Sequence, residues 1–370
     1  MRVIMTGGGT GGHIYPALAI ARGMQNRFSE AQILYVGTNR GLEADIVPKA
    51  HFPFRAITVS GLQRKVSVEN FKVLWRAYQG YREASAIIKD FQPNVVIGTG
   101  GYVCGPVVMA AARKGIPTLI HEQNAFPGIT NRILAKFVDQ VNVTFEDSLP
   151  YFGSKRNITL TGLPVRPEIL QADKKQALNS FGLKEDRLTL LVFGGSRGAR
   201  RINQAMLETI KKFGRDNRLQ ILHATGQVGY EEFIQELINN GIDVGQYGNI
   251  IIKPYLYNMH EALAAADLIV SRAGAATLAE LTILGLPSIL IPYPYASENH
   301  QEHNARALVD RGAAVLIKDS ELTGPRLVQA IEDILQNREK LKNMSQASGK
   351  LGRPEALSDI IKCVEKILTK

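Results

Sequence analysis

Short apolar runs rich in Val and Ile alternate along this chain with longer stretches whose apolar positions recur at helical spacing. In the first half, the runs at residues 2–6, 32–37, 95–98 and 118–121 read as strands, and residues 15–26 carry a helical stripe. The alternation breaks at Thr161-Gly162-Leu163-Pro164 and then restarts. Strands are expected at 188–194, 219–225, 250–254, 268–271 and 288–292, with a helix over 203–213 and further helices between the later strands. Strands alternating with helical segments build parallel sheets from βαβ units. The pattern therefore predicts α/β architecture in two doubly wound domains, 1–163 and 164–349, with a boundary near residues 162–167. The tail from 338 to 370 reads as helical.

Four strand ends share one design, two in each half. Small residues, mostly glycine, follow the strand, and a helix-like segment begins at once. The four turns are Gly7-Gly8-Gly9-Thr10-Gly11-Gly12, Gly98-Thr99-Gly100-Gly101, Gly194-Gly195-Ser196-Arg197-Gly198 and Ser271-Arg272-Ala273-Gly274-Ala275-Ala276-Thr277. Glycine lets backbone approach a ligand closely, and a helix N-terminus offers N–H groups to an anion. Two nucleotide-type domains over a phosphorylated ligand are the natural reading. An internal echo supports the repeat: Val95-Val96-Ile97-Gly98 leads through a helix to Gly115-Ile116-Pro117, and Leu268-Ile269-Val270-Ser271 leads to Gly285-Leu286-Pro287.

Composition narrows the class. Hydrophobic content of 45% with 21% charged residues is that of an ordinary globular chain. No apolar run approaches the roughly 18–20 residues of a membrane span, and no secretory leader is visible at Met1. Cys104 and Cys363 lie far apart without metal-type spacing, which fits a reducing cytoplasm. The net charge of +10 is unevenly shared: residues 1–163 hold 18 of 44 Lys and Arg but 10 of 34 Asp and Glu. The positive field sits on the first half, the half expected to meet an anionic surface.

Gly7, Gly9 and Gly12 satisfy a dinucleotide-type spacing, but the second strand ends Tyr35-Val36-Gly37-Thr38-Asn39-Arg40, without the acid that would hold a ribose diol. No Gly-Lys-Ser/Thr follows, so a Walker loop is not indicated. His13 closes the loop at a helix start, where the dipole disfavours imidazolium; it is a candidate general base, against packing or capping. Glu122 and Asn124, in His121-Glu122-Gln123-Asn124, could bind sugar hydroxyls or assist a base, or simply satisfy their turn. Residues 62–90 interleave Arg64, Lys65, Lys72, Arg76, Arg82 and Lys89 with Phe71, Leu74, Trp75, Tyr78 and Tyr81. That mixture suits anionic lipid, or a helix packed on its own sheet; no nucleic-acid recognition motif is present.

In the second half, Gly274, Ala275 and Ala276 keep the turn free of bulk, so N–H groups and the Thr277 hydroxyl can face a diphosphate. Glu280, three residues beyond Thr277 on the same helix face, is placed to accept from a ribose diol. Ser196 offers a second hydroxyl, and Arg197 and Arg272 are candidate charge partners or structural ion pairs. His300-Gln301-Glu302-His303 is a weak metal pair and a better polar hinge or sugar contact. No Asp-x-Asp occurs, so the pattern predicts chemistry without a metal or other cofactor.

Taken in order, residues 7–13, 98–106, 121–135, 162–167, 193–199, 270–287 and 300–305 closely resemble the MurG family, the UDP-N-acetylglucosamine:lipid I N-acetylglucosaminyltransferases of bacterial peptidoglycan synthesis. The resemblance implies the GT-B fold, two Rossmann-like domains facing a cleft, with a last helix at about 350–370 returning to the first domain. It implies inverting transfer of GlcNAc from UDP-GlcNAc to the 4-hydroxyl of MurNAc in undecaprenyl-linked lipid I, giving lipid II. It places Thr10, Gly11 and Gly12 at donor and acceptor phosphates, His13 at the catalytic centre, Asn124 on the GlcNAc and Arg166 on the uracil side. It further assigns phosphate to Ser196, backbone contact with uracil to Leu256, and diphosphate and ribose to Ala275, Ala276, Thr277 and Glu280. Gln301 fits a sugar or phosphate contact, whereas His300 stands where the family often has a second glutamine. The implied setting is peripheral, at the cytoplasmic face of the cell membrane, alongside cell-wall synthesis and division proteins. A non-hydrolysing UDP-GlcNAc 2-epimerase, an NADP-dependent oxidoreductase on Gly7–Gly12 and an inactive nucleotide-sugar-binding membrane scaffold are the competing readings.

Overall fold

The computed structural model describes residues 1–60, 69–153, 157–195 and 197–369, with backbone alone for 69–74. It divides into two compact units, one of Met1–Val165 with Arg353–Lys370 and one of Arg166–Gly352.

The first unit opens with β1 (Arg2–Thr6), α1 (Gly11–Arg27), β2 (Gln32–Gly37), α2 (Glu43–Lys49) and β3 (Phe54–Ala56). It continues through α3 (Glu69–Phe91), β4 (Val95–Gly98), α4 (Cys104–Arg113), β5 (Thr118–Glu122), α5 (Ile129–Leu134), β6 (Gln140–Val143) and β7 (Ile158–Leu160). All strands are parallel, in the order β3-β2-β1-β4-β5-β6-β7. β1 and β4 are fully apolar on both faces over Val3–Met5 and Val95–Ile97, as a sheet covered by helices on each side requires.

The second unit starts with the helices α6 (Pro167–Leu170) and α7 (Lys174–Phe181). Then come β8 (Leu188–Phe193), α8 (Arg200–Phe213), β9 (Leu219–Ala224), α9 (Tyr230–Asn239), β10 (Ile250–Lys253) and α10 (Met259–Ala265). β11 (Leu268–Ser271), α11 (Ala275–Ile283), β12 (Ser288–Leu290), α12 (His300–Val309), β13 (Ala314–Leu316), α13 (Gly324–Leu335) and α14 (Arg338–Lys350) complete it. Its parallel sheet runs β10-β9-β8-β11-β12-β13. Apart from the extra β7, both sheets have the same order, which reverses direction beside the first strand of each unit. In open α/β sheets, the crevice for ligands lies at the strand carboxyl ends at that reversal.

The tail divides between the units. α14 belongs to the second, and α15 (Ala356–Leu368) packs on α1 of the first. Ile360, Ile361, Val364 and Ile367 join Ile14, Ala17 and Ala21 in one core cluster. Gly23 permits this approach, because a Cβ there would stand 2.7 Å from Leu357 Cδ1.

α3 packs one face on its own unit and leaves another exposed. Ala84 and Ile88 are buried and Tyr81 packs beside them, while Trp75 and Tyr78 are exposed with ring centroids 5.9 Å apart. Arg76, Arg82 and Lys89 are exposed. Arg64 and Lys65, and the side chains of Phe71, Lys72 and Leu74, lie outside the described residues. Among the described residues, no helix is long and apolar enough to cross a membrane.

Candidate functional site

In the first unit the two glycine turns at the carboxyl ends of β1 and β4 touch. Gly8 N donates to Gly100 O at 3.3 Å, and a Cβ on Gly101, which has φ of +82°, would stand 2.3 Å from Gly8 O. Buried side chains tie the turns further. Thr99 Oγ1 donates to His13 O at 2.7 Å, and Tyr35 OH donates to Gly7 O at 2.7 Å. Glu43 is wholly buried and accepts from Gly9 N at 3.1 Å and from Thr38 N and Oγ1 at 3.1 and 2.7 Å. Cys104 Sγ bonds the Gly100 and Thr6 carbonyls at 2.9 and 3.0 Å, and burial pushes its thiol up to about 12, which keeps it protonated. Thr10 is the N-cap residue of α1 and gives no side-chain cap, so its hydroxyl and Gly12 remain on the exposed lip, with Gly11 half-buried.

His13 rises from the first turn of α1, and its Nδ1 meets Gln123 Oε1 at 3.0 Å. Gln123 Nε2 in turn meets His121 Nδ1 at 3.0 Å and His121 O at 2.9 Å. His121 Nε2 meets Gly162 O at 2.8 Å. His121 is fully buried, and desolvation lowers its pKa to about 4, so it is neutral at pH 7.

Glu122, a candidate for proton transfer, lies at the end of β5. It is 1% exposed, and its carboxyl accepts from the backbone N–H of Asn124 and Gly128 at 2.9 and 3.2 Å. Asn131 Nδ2 and Asn124 Nδ2 donate to it at 2.8 and 3.3 Å. Burial raises its pKa, opposed mainly by these donors. These bonds let Glu122 hold the turn that presents Asn124, and the charge of His13 also acts on its carboxyl.

The second unit builds its turns differently. The β8 turn leans on the loop after β9: Gly198, with φ of +77°, would put a Cβ 2.0 Å from Thr225 O, and Gly226 would put one 2.3 Å from Gly198 N. Asn203 Nδ2 clamps Thr225 O at 3.0 Å. Ser196 lies outside the described residues, and Arg197 is exposed. At the β11 turn, Gly274 is the extended N-cap residue of α11, and no side chain caps it. A Cβ on Gly274 would meet only Thr277 Oγ1, at 3.9 Å. The first-turn N–H groups of Ala275, Ala276 and Thr277 thus have no side-chain cap, and a helix start in that condition attracts anions.

Around this turn, Glu280 accepts from Arg166 Nε at 2.8 Å; its side chain is only 14% exposed. Burial raises the Glu280 pKa, and Arg166 opposes the rise. The expected ribose and uracil residues are therefore one ion pair. Arg272 takes the structural alternative. It pairs with Asp319 at 2.6 Å, donates to the Ile291 and Pro292 carbonyls at 3.2 Å each, and lies over the Tyr293 ring. Leu256 has a buried side chain, which leaves its backbone as the part able to face a base. Gln301 Oε1 accepts from Tyr293 N at 2.9 Å, Asn304 Nδ2 donates to Ala273 O at 3.3 Å, and His300 Nδ1 meets Ser297 O at 2.7 Å. These bonds lace the start of α12 to the β11 and β12 turns. Among the described residues, no three His, Cys, Asp or Glu side chains are grouped to hold a metal ion.

Gln123, His121, Glu43, Thr99 and Asn304 had no distinguishing signal of their own in the sequence. The polar run His121-Glu122-Gln123-Asn124 at a strand end was the one hint.

Comparison with known proteins assigns the family. Residues 3–143 match the glycosyltransferase family 28 N-terminal domain, and residues 189–361 match the family 28 C-terminal domain. The UDP-N-acetylglucosamine–N-acetylmuramyl-(pentapeptide) pyrophosphoryl-undecaprenol N-acetylglucosamine transferase of Desulforamulus reducens is 82% identical over 370 residues, covering all of both chains. The crystal structure of Acinetobacter baumannii MurG superposes with a TM-score of 0.81 at 29% identity, covering 99% of each chain. A UDP-GlcNAc 2-epimerase from Neisseria meningitidis reaches a TM-score of 0.68 at 14% identity, covering 99% of this chain and all of its own, a likeness of fold alone.

Proposed function

This chain belongs to glycosyltransferase family 28, and from that premise we infer that it transfers GlcNAc from UDP-GlcNAc to the 4-hydroxyl of MurNAc in lipid I, forming lipid II. The observation that carries this is full-length identity of 82% to a transferase named for that reaction. The epimerase likeness, at 14% identity, does not compete with it.

In the mechanism we propose, His13 Nε2 takes the proton of the acceptor hydroxyl as that oxygen bonds the anomeric carbon. The bond from that carbon to the β-phosphate oxygen breaks on the opposite face, and its electron pair leaves with UDP. One displacement inverts the anomeric centre. The second unit receives the leaving charge: the N–H groups at the start of α11 and the Thr277 hydroxyl face the diphosphate, and the Glu280 carboxylate, oriented by Arg166, accepts from the ribose diol. Leu256 supplies backbone contacts to uracil, Asn124 holds the GlcNAc, and Ser196, Gln301 and His300 complete the donor shell. Arg272 supports the turn from behind. Thr10, Gly11 and Gly12 face the donor and acceptor phosphates. The charge of UDP is met by helix ends and hydroxyls, so no metal is required.

The first unit is the acceptor and membrane domain in this reading. Its positive surplus, with Trp75 and Tyr78 exposed beside Arg76 and Arg82, suits peripheral binding to anionic lipid at the cytoplasmic face of the membrane. Contact with other cell-wall synthesis and division proteins is part of the same proposal.

Radiolabelled GlcNAc transfer to a short-chain lipid I analogue tests the reading. Transfer that persists in EDTA is expected. Conversion of UDP-GlcNAc alone to UDP-ManNAc would make the chain an epimerase, and donor binding without transfer would make it a scaffold.

A further inference from the structure

We propose that Gln123 and His121 are positioning residues that place the proton of His13 on Nδ1, leaving Nε2 as its accepting nitrogen. The proposal deepens the reading of His13 as the base and rests on it.

The argument starts at a group with no choice. The Gly162 carbonyl can only accept, so His121 Nε2, at 2.8 Å, must carry a hydrogen. His121 is buried and neutral, so its Nδ1 has a lone pair and must accept. The partner of that nitrogen is an amide hydrogen of Gln123 Nε2, at 3.0 Å. The second amide hydrogen goes to the His121 carbonyl at 2.9 Å. Both hydrogens are then spent on acceptors. Turning the amide over would set its oxygen against a lone pair and a carbonyl, at 2% exposure, where no water offsets the loss. Gln123 Oε1 therefore faces His13, and because it can only accept, His13 Nδ1 must donate across the 3.0 Å contact. A neutral imidazole with Nδ1–H has its lone pair on Nε2, the state a general base needs.

The surroundings hold the ring in that relation. Thr99 Oγ1 fixes the His13 carbonyl at 2.7 Å, and a Cβ on Gly100 would stand 2.9 Å from His13 Nδ1. Gly162 has φ of +82°, and its carbonyl also accepts from Thr161 Oγ1 at 3.2 Å. The relay thus runs from Gly162, through β5, to the first turn of α1.

The test reads the tautomer directly. In ¹⁵N-histidine-labelled protein at neutral pH, the two-bond ¹H–¹⁵N spectrum of His13, assigned by its loss in His13→Ala, should show a protonated Nδ1 and an unprotonated Nε2. In Gln123→Leu that pattern should give way to a mixture, with kcat down by roughly one to two orders of magnitude, the direction a wrong imidazole tautomer imposes. The KM for UDP-GlcNAc should stay within about twofold, because uniform donor binding is not what the relay supplies. His121→Phe, which keeps a ring but frees the amide, should give a smaller loss with the same split. A wild-type spectrum with the proton on Nε2 overturns the proposal without reference to any variant, as does an unchanged tautomer in folded Gln123→Leu. The two readings fail separately: normal turnover in His13→Ala removes the base whatever its tautomer. An inactive His13→Ala with Nε2–H in the wild type leaves the base and removes the relay.

Discussion

The two units share a strand order and differ in what they do with the crevice at its reversal. In the first, the turns after β1 and β4 close on each other, backbone against backbone at Gly8, Gly100 and Gly101, and buried Glu43, Thr99 and Tyr35 bond Gly9 N, His13 O and Gly7 O. In the second, the β8 turn leans the other way, onto Gly226 after β9, and a Cβ on Gly274 would meet only Thr277 Oγ1, at 3.9 Å. The same glycine-rich chemistry thus serves opposite ends. A closed turn makes a rigid mount for one side chain, His13. An open turn leaves helix N–H groups for an anion. Glycine content alone says nothing of which outcome a turn will have; the side chains behind it decide.

His13→Ala probes the mount most severely. Turnover should fall by roughly 10²- to 10⁴-fold while UDP affinity, measured by calorimetry, stays within about twofold. Near-normal turnover would mean that the closed turn holds something other than the base. The glycines come next. Gly101→Ala must displace Gly8 O from 2.3 Å and adopt φ of +82°, which should cost about 3 kcal/mol in chemical denaturation. Gly274→Ala, with only Thr277 Oγ1 at 3.9 Å and ordinary extended backbone, should change stability by no more than about 0.5 kcal/mol. Equal losses in the two variants would erase the contrast.

Each unit also buries a neutral histidine, which gives a weaker, pH-dependent probe. Desolvation lowers the pKa of His121 from 6.5 to about 4 and that of His223 from 6.5 to about 3. As pH falls below 6.5 the unfolded chain takes up protons that the folded chain refuses, so stability is fully present above that point and is lost toward pH 4 for His121 and toward pH 3 for His223. Each should cost about 2 kcal/mol by about pH 5 in urea titrations, and replacing either by Asn should flatten its share of the slope. Thr277→Ala is the mildest. It should raise the KM for UDP-GlcNAc by roughly three- to tenfold with less change in kcat, because it removes one hydroxyl from a set of backbone donors.

The parallel α/β architecture was legible because β1, β4, β8 and β11 are continuous apolar runs ending at glycine or serine. β6 was not, since Gln-Val-Asn-Val reads as a polar alternation. It is nevertheless fully buried, and Gln140 Nε2 bonds Asn142 Oδ1 at 2.8 Å and Thr159 Oγ1 at 2.9 Å, which satisfies part of its polar face. Among candidate site residues, the strand-to-helix position of His13 and of the Gly274–Thr277 turn was legible. What Glu122, Arg272 and Arg166 do depends on partners distant in sequence, Asn131, Asp319 and Glu280, and no local pattern announces such pairings. Glu43 was invisible for the same reason, since it acts by bonding backbone that only the fold brings near, and the polar run around Gln123 gave no sign of the rings it bonds.

The most direct measurement is a crystal of the protein soaked in UDP-GlcNAc. The diphosphate should lie against the N–H groups of Ala275, Ala276 and Thr277, with the ribose hydroxyls on Glu280. A uridine diphosphate bound in the Gly7–Gly12 turn, with the α11 turn empty, would contradict the account.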